Sequence, residues 1–257
     1  MTTDACKTAL ITGAAKRIGR AVALELARRG WDVVVHFHHS EEEAQATVRD
    51  IQALGRRAAA VECNLSDEAA VQTLLPRAME VMGRVSCVVN NASLFDHDSA
   101  SSFSFASLDA HMHVNLAAPV LLTKALHEAT PEGEQAVVIN LLDQKLFNLN
   151  PDFLSYTLSK AALQAATTML AQSLAPKVRV VGVAPGLTMV SHLQSADEFA
   201  QTHALSPLGE SSRPEEVAHA VAFASENRAL TGTTILVDGG QHLIPLSRDF
   251  SFIKRTS

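Results

Sequence analysis

Tyr156 and Lys160 stand four residues apart in the stretch SYTLSKAALQAA. On a helix that spacing puts both side chains on one face, one turn apart. A free phenol titrates at about 10, too high for efficient proton transfer at neutral pH, and a neighbouring ammonium favours the phenolate and lowers that value. The pair therefore reads as a proton donor with a cation that tunes it. Tyr156 is also the chain's single tyrosine. An exposed Tyr–Lys pair of no consequence is the competing reading. Position decides between them, because the pair follows a long apolar strand, across the expected sheet from a second group of candidate residues.

That second group lies in TALITGAAKRIGRAVALELARRG, residues 8–30. An apolar run ends at Thr12-Gly13 and a helical pattern begins near Arg17. Gly13 permits a tight turn, Gly19 lets the helix pack closely on the strand, and the helix N-terminus offers free N–H groups to a pyrophosphate. Between the two glycines stand Lys16, Arg17 and Ile18, with a cation where such a turn often has a third glycine. The next strand ends in His36, Phe37, His38, His39 and Ser40, with no acid before Glu41. A site for NAD expects a carboxylate about 20 residues beyond the turn. A carboxylate would repel a 2′-phosphate, whereas Ser40 and the imidazoles can donate to one, and Lys16 and Arg17 can close on it. NADPH is expected over NADH. A metal site at the histidines lacks a carboxylate or second ligand cluster to complete it.

The elements that must carry these residues alternate along the chain. Strands are expected at 8–11, 32–36, 58–62, 87–89, 136–141, 178–183 and 234–237. Helical patterns fall at 17–29, 41–54, 67–82, 108–129, 153–175 and 214–224. Apolar runs without alternation suit strands buried on both faces. Strand–helix alternation from end to end implies right-handed crossovers and a parallel sheet. The expected fold is α/β, a single Rossmann-type doubly wound domain over 1–257, with a seven-stranded parallel sheet and helices on both faces. The segment 187–212 reads as a substrate loop and 241–257 as a C-terminal tail.

Composition narrows the function. With 47% hydrophobic and 19% charged residues in 257, the chain can bury a large core. A net charge of −6 argues against a general nucleic-acid surface. No apolar run approaches the roughly 18 residues of a membrane span, and the N-terminus MTTDACKTALITG lacks the features of a secretory signal. Cys6, Cys63 and Cys87 are few, odd in number and not at metal-like spacing. That pattern suits reduced thiols and a cytoplasmic location.

The Thr-Gly turn, NNAS after the fourth strand, Tyr-x-x-x-Lys, VNLAAP, VAPG and VDGG together resemble the short-chain dehydrogenase/reductase family, from Thr8 to Gly240. The resemblance implies that Asn91, Ala92, Ser93, Pro185 and Gly186 line the cofactor and that Asn64-Leu65 lies against its adenine. It further implies that Lys160 binds the nicotinamide ribose, Asn115 holds a water in a proton relay, and Tyr156 is the proton donor. Three positions depart from the common pattern. Asp143 stands where a serine is usual, Ser93 where NNAG has its glycine, and Arg17 in place of glycine. The pteridine reductases and related dihydromonapterin reductases resemble this chain in all three. They also carry an aromatic at the position of Phe95, which sandwiches a pterin against the nicotinamide. An arginine expected after the second strand is His39 here. The implied substrate site is Arg17, Ser93, Phe95, Asp143, Tyr156 and Leu187.

Physical chemistry agrees with a pterin. An ionised Asp143 would repel the oxyanion that develops on a ketone, whereas a C=N bond needs a proton on nitrogen, and a carboxyl sharing a proton with Tyr156 can help deliver it. Arg17 can donate to a pterin carbonyl or to cofactor phosphates, and Phe95 offers a flat stacking surface. The bland readings are an Asp143 paired with Lys145 and a Phe95 that merely packs. Two other functions compete: a general carbonyl or 3-oxoacyl reductase, and a non-catalytic nucleotide-binding regulator. By analogy of fold the chain is expected to form a homotetramer through 108–129, 153–175 and the last strand. Its expected partner is a small pterin-like molecule, with no nucleic acid and no membrane. The tail PLSRDFSFIKRTS, with Phe250, Phe252, Ile253, Arg248, Lys254 and Arg255, would pack at that interface or close over a neighbouring site.

Overall fold

Seven short apolar segments form one sheet. They are β1 (Thr8–Ile11), β2 (Asp32–Phe37), β3 (Ala58–Glu62), β4 (Cys87–Asn90), β5 (Ala136–Leu141), β6 (Val178–Pro185) and β7 (Thr234–Val237). All neighbours are parallel and the order is β3-β2-β1-β4-β5-β6-β7. The computed structural model describes residues 7–190 and 196–252. Cys6, Ile253, Lys254 and Arg255 lie outside the described residues, as does part of the substrate loop, 191–195.

The helices are α1 (Arg17–Arg28), α2 (Glu41–Ala53), α3 (Glu68–Met82), α4 (Phe105–Met112), α5 (Ala118–Ala129), α6 (Leu154–Leu174), α7 (Ala196–His203) and α8 (Pro214–Glu226). Successive side chains of a strand point to opposite faces, and both faces here are covered. Ile11, Val33, Val35 and Ile139 pack under Val22 and Leu26 of α1 and Val217 and Val221 of α8. Leu10, Val34, Val88 and Val138 pack under Leu74 and Leu75 of α3 and Leu122 and Leu126 of α5. The uninterrupted Val-rich runs are thus explained by burial on two sides.

Some boundaries moved for identifiable reasons. The expected helix 108–129 begins earlier, at Phe105, where the Ser104 hydroxyl caps it by accepting from the Ser107 N–H at 3.1 Å. It then widens into a π-type turn over His113–Ala117. Pro119 has no N–H for the ordinary bond to the carbonyl of Asn115, and the ladder must shift there. The segment 187–212 holds a short helix, α7, too brief for its pattern to be read from sequence. β2 and β6 each run past their expected ends, to Phe37 and Pro185.

Between β1 and β4 the strand order reverses, which opens a crevice at the carboxyl ends of the strands. The threonine that ends β1 pins the two strands together. The Thr12 hydroxyl accepts from the N–H groups of Asn91 (2.9 Å) and Ala92 (3.0 Å) and donates to the Val89 carbonyl (3.3 Å). Cys63 and Cys87 are free and buried, and burial pushes their thiols up to about 11 and about 12, so neither is a reactive thiolate. Among the described residues no helix is long and apolar enough to cross a membrane.

Helix α6, which carries the Tyr-x-x-x-Lys pair, is anchored from outside itself. The residue before it, Phe153, is wholly buried in the left-handed region at φ +54°. Asp98 then supplies the cap, accepting from the N–H of Ser155 at 2.9 Å and from its hydroxyl, and its own carboxylate is buried. Asp98→Ala removes the cap and leaves a buried hydroxyl without its acceptor. It should cost about 2 kcal/mol, read as a lower urea midpoint at an unchanged m-value.

Candidate functional site

The turn after β1 is shaped by two glycines with different duties. Gly13 sits at φ +64°, a conformation that side chains rarely adopt. Gly19 lies so close to the turn that an added Cβ would be 2.2 Å from the Gly13 carbonyl oxygen and 2.6 Å from Asn91 Nδ2. Arg17 also lies in the left-handed region, at φ +54°. This is the backbone that favours glycine, and an arginine holds it at a cost of about 1 kcal/mol or more. Its guanidinium reaches across to the substrate loop and donates to the Val190 carbonyl at 3.1 Å.

The cationic and histidine rows divide rather than act together. Lys16 turns outward and pairs with Glu43 on the first turn of α2, at 3.1 Å. His36 is not a phosphate donor. It is buried beneath the turn, where Nδ1 accepts from the Gly13 N–H at 3.0 Å and Nε2 lies 3.0 Å from the Cys63 carbonyl. Those partners require the neutral ring with its proton on Nε2. The His36 carbonyl also accepts from the N–H of Ala14 at 3.0 Å. His38 and His39 are exposed, with ring centroids 3.5 Å apart. Ser40 precedes α2 without capping it. Asn64 folds into its own turn, accepting from Ser66, and the Leu65 side chain is in the core.

The crevice opens into a cleft of about 560 Å³ that gathers Arg17, Ile18, Asn91, Ser93, Phe95, Asp143, Tyr156, Lys160, Pro185, Gly186 and Leu187. Gly13, Lys16, Gly19, His38, His39, Ser40, Asn64, Leu65, Ala92 and Asn115 do not line it. Lys145, Asp249 and Phe250 do line it, and sequence reading did not assign them there. The only signal for the last two was the apolar and charged character of the tail. Asp249 and Phe250 of that tail thus line the cleft of their own chain.

At the centre, Tyr156 Oη donates to Asp143 Oδ2 at 2.8 Å. Asp143 Oδ1 accepts from the backbone N–H of Lys145 at 2.8 Å, while the Lys145 ammonium goes elsewhere, to Asp152 and Asp249. Asp143 is therefore not salt-bridged to Lys145. Burial pushes its carboxyl above the usual range, and the bonds from Lys145 N–H and Tyr156 offset that only partly.

The phenol is shifted up rather than down, by burial and Asp143 and not by Lys160. Lys160 is buried, its ammonium donates to the Leu141 carbonyl at 2.7 Å, and it stands 5.8 Å from the centre of the Tyr156 ring. Burial lowers its own pKa to about 8. Burial, then the charge and hydrogen bond of Asp143, push Tyr156 well above 10, so the phenol keeps its proton.

The side chain of Asn115 is engaged within the protein. Its Nδ2 donates to the Leu94 carbonyl (3.0 Å) and Ser159 Oγ (2.9 Å), and its Oδ1 accepts from Leu94 N–H (2.8 Å) and Ser93 Oγ (3.1 Å). No donor or acceptor of that side chain remains for a water. That side chain holds the 93–95 loop against α6. Phe95 stacks on Phe153 at 4.3 Å and meets Tyr156 edge-on at 4.6 Å. Among the described residues no group of three or more potential ligands forms a metal site.

Residues 7–201 match the family described as short chain dehydrogenase. The chain is 34% identical over 247 residues to 3beta-hydroxysteroid dehydrogenase 1 of Eggerthella lenta, covering 93% of this chain and 95% of that one. It is 32% identical to a 3-oxoacyl-[acyl-carrier-protein] reductase of a Synechocystis species, covering 93% and 98%. Among solved structures, it is 38% identical to FolM alternative dihydrofolate reductase 1 from Brucella canis, complexed with NADP. That superposition has a TM-score of 0.87 and covers 92% of this chain and 94% of that one.

The brace under the turn gives a pH test. Burial, with the charges of His38 and Arg77, holds His36 down to about 4, against an ordinary 6.5, and the Cys63 carbonyl only partly opposes this. Between those values the unfolded chain binds a proton that the folded one refuses. The contribution of His36 is therefore complete above pH 6.5 and is lost as pH falls towards 4, about 3 kcal/mol in all. Urea unfolding of the wild type should weaken over that range more steeply than that of His36→Asn, whose side chain does not titrate.

Proposed function

The chain belongs to the short chain dehydrogenase family, and from that premise we propose that it is an NADPH-dependent reductase of dihydropterins, with dihydrobiopterin, dihydromonapterin and dihydrofolate as its candidate substrates. One observation carries the reading: the 2.8 Å hydrogen bond from Tyr156 to Asp143, in a cleft whose wall also holds Arg17 and Phe95. The similarity to a dihydrofolate reductase complexed with NADP supports it.

The turn fits a dinucleotide. Gly13 and Gly19 keep side chains away from the mouth of α1, and no acid stands in its first turn to repel phosphate. His38, His39 and Ser40 would meet a 2′-phosphate, and Lys160 the nicotinamide ribose. Asn91, Ser93, Pro185 and Gly186 would line the rest. Bound NADPH would supply the hydride.

The chain's own residues handle the proton. As the carbon of a substrate C=N bond gains hydride, the π electrons move to nitrogen, and nitrogen takes the proton from Tyr156 Oη. The phenolate then regains a proton by way of Asp143, its hydrogen-bond partner, which exchanges with water at the cleft mouth. In ketone reduction the same carboxylate, once ionised, would face a developing oxyanion. Phe95, backed on one side by Phe153, presents its ring to a flat substrate, and Leu187 borders it.

A second reading, a general carbonyl or 3-oxoacyl reductase, is favoured by the 32% identity to a 3-oxoacyl reductase over nearly its whole length. Assembly as a homotetramer is also part of the proposal. Leu158 and Met169 on α6, within the expected 153–175 contact, are exposed apolar residues suited to it.

NADPH oxidation with each dihydropterin tests the function directly. Turnover is expected with at least one; turnover with 3-oxoacyl thioesters and none with pterins would replace the first reading by the second. Tyr156→Phe should lower kcat by about 10²–10⁴-fold, and Asp143→Asn by a factor near the bottom of that range. Asp143→Ser should fall similarly on pterins, whereas a gain on ketones would favour the second reading. Gly19→Ala should raise the Kd for NADPH roughly tenfold or more, about 1.4 kcal/mol, measured by fluorescence titration.

A further inference from the structure

The segment that follows the last strand is tied to the cleft by buried polar contacts. Lys145, only 2% exposed, donates to the Asp152 carbonyl at 2.5 Å and to Asp249 Oδ2 at 3.1 Å. The buried Asp152 carboxylate accepts from Arg248 Nε at 2.8 Å and from the N–H of Asp249 at 2.7 Å. Burial opposes its charge, but these donors outweigh it and hold the carboxyl below the usual range. Upstream, the Asn148 amide donates to the Ile244 carbonyl.

Aromatic rings continue the attachment. Phe252 stacks on Phe153 at 5.8 Å and 24°, and Phe153 stacks on Phe95 at 4.3 Å and 16°. His97 meets both Phe153 and Phe252 edge-on. A column of rings therefore runs from the C-terminal segment to the ring in the cleft wall.

Chain ends fray unless tied down, and a buried ion pair adds little net stability because both charges lose water. Stability alone is a poor account of two buried charges spent on a segment outside the sheet. Their geometric effect is specific: they set Asp249 and the buried Phe250 into the cleft wall that also holds Asp143 and Tyr156.

We propose that Arg248–Phe252 is a specificity element of the cleft, a strap from the chain's own C-terminal segment that fixes the stacking position of Phe95 and closes the substrate end. The site then admits a flat, compact ring and disfavours a long or bulky substituent. This rests on the cleft being the reductase site proposed above. Arg248 and Phe252 act through other residues, as positioning residues; neither lines the cleft.

The test uses Arg248→Ala, Phe252→Ala and the double variant in the full chain. Thermal melting and NADPH affinity near wild type establish that each variant is folded. The expected result is a KM for dihydrobiopterin raised roughly tenfold with kcat within about twofold, and a kcat/KM preference moved towards dihydrofolate, which carries the larger substituent. Arg248→Lys, which keeps a donor for Asp152, should recover much of the wild-type profile. Unchanged KM and unchanged size preference in the double variant would overturn the strap. Should the wild type reduce no pterin, the pterin reading fails separately, and the strap is judged on 3-oxoacyl thioesters of increasing length. A shift of preference towards longer chains in the variants then supports it, and an unaltered length profile overturns it.

Discussion

The hydroxyl of Thr12 is the point on which this architecture turns. It joins the carboxyl ends of β1 and β4, the two neighbours between which the strand order reverses. With that junction fixed, the backbone after β1 must turn at Gly13, and the backbone after β4 must run along the other side of the crevice as Asn91–Phe95. Asn91 adds to the staple by donating to the carbonyls of Thr12 and Gly13. His36 supports the same turn from below. The crevice is therefore a consequence of strand order, and its rim is held by saturated hydrogen bonds rather than by packing.

Around that rim, desolvation outweighs charge pairing in deciding who holds a proton. Lys160 is near enough to be expected to ionise the phenol, yet its ammonium is occupied by a backbone carbonyl, and its own affinity for the proton falls. Asp143, by contrast, touches the phenol directly. Burial raises the pKa of both groups, and the charge of Asp143 adds to the shift of the phenol. The phenol thus keeps its proton, donated to Asp143, instead of becoming a phenolate. Behind it, Asp98 caps α6 and Asn115 fixes the 93–95 loop to the same helix. Tyr156, Asp143 and Phe95 are consequently placed by elements far apart in sequence.

Much of this was legible in the chain alone. The apolar runs gave the strands, and in β1, β2, β4, β5 and β6 every residue is buried, so no alternation is expected. The Tyr156–Lys160 spacing gave a shared helix face, and Gly13 and Gly19 marked the turn because nothing larger fits there. Asp143, Ser93 and Arg17 stood out as departures from a common pattern, and all three line the cleft. These are local properties: periodicity, backbone freedom and residue type.

Direction and partnership were decided only by the tertiary structure. Three histidines within four residues part company because one points into the core and two towards solvent. Lys16 pairs with Glu43, Lys145 passes over Asp143 for Asp249, and the tail lands on its own cleft. No spacing rule encodes these choices, since each depends on which distant group is within about 3 Å and on how much water is excluded there. The sequence by itself determined which elements form and which residues could do chemistry; the packed fold decided which of them meet, and, by removing their water, which of them hold the proton.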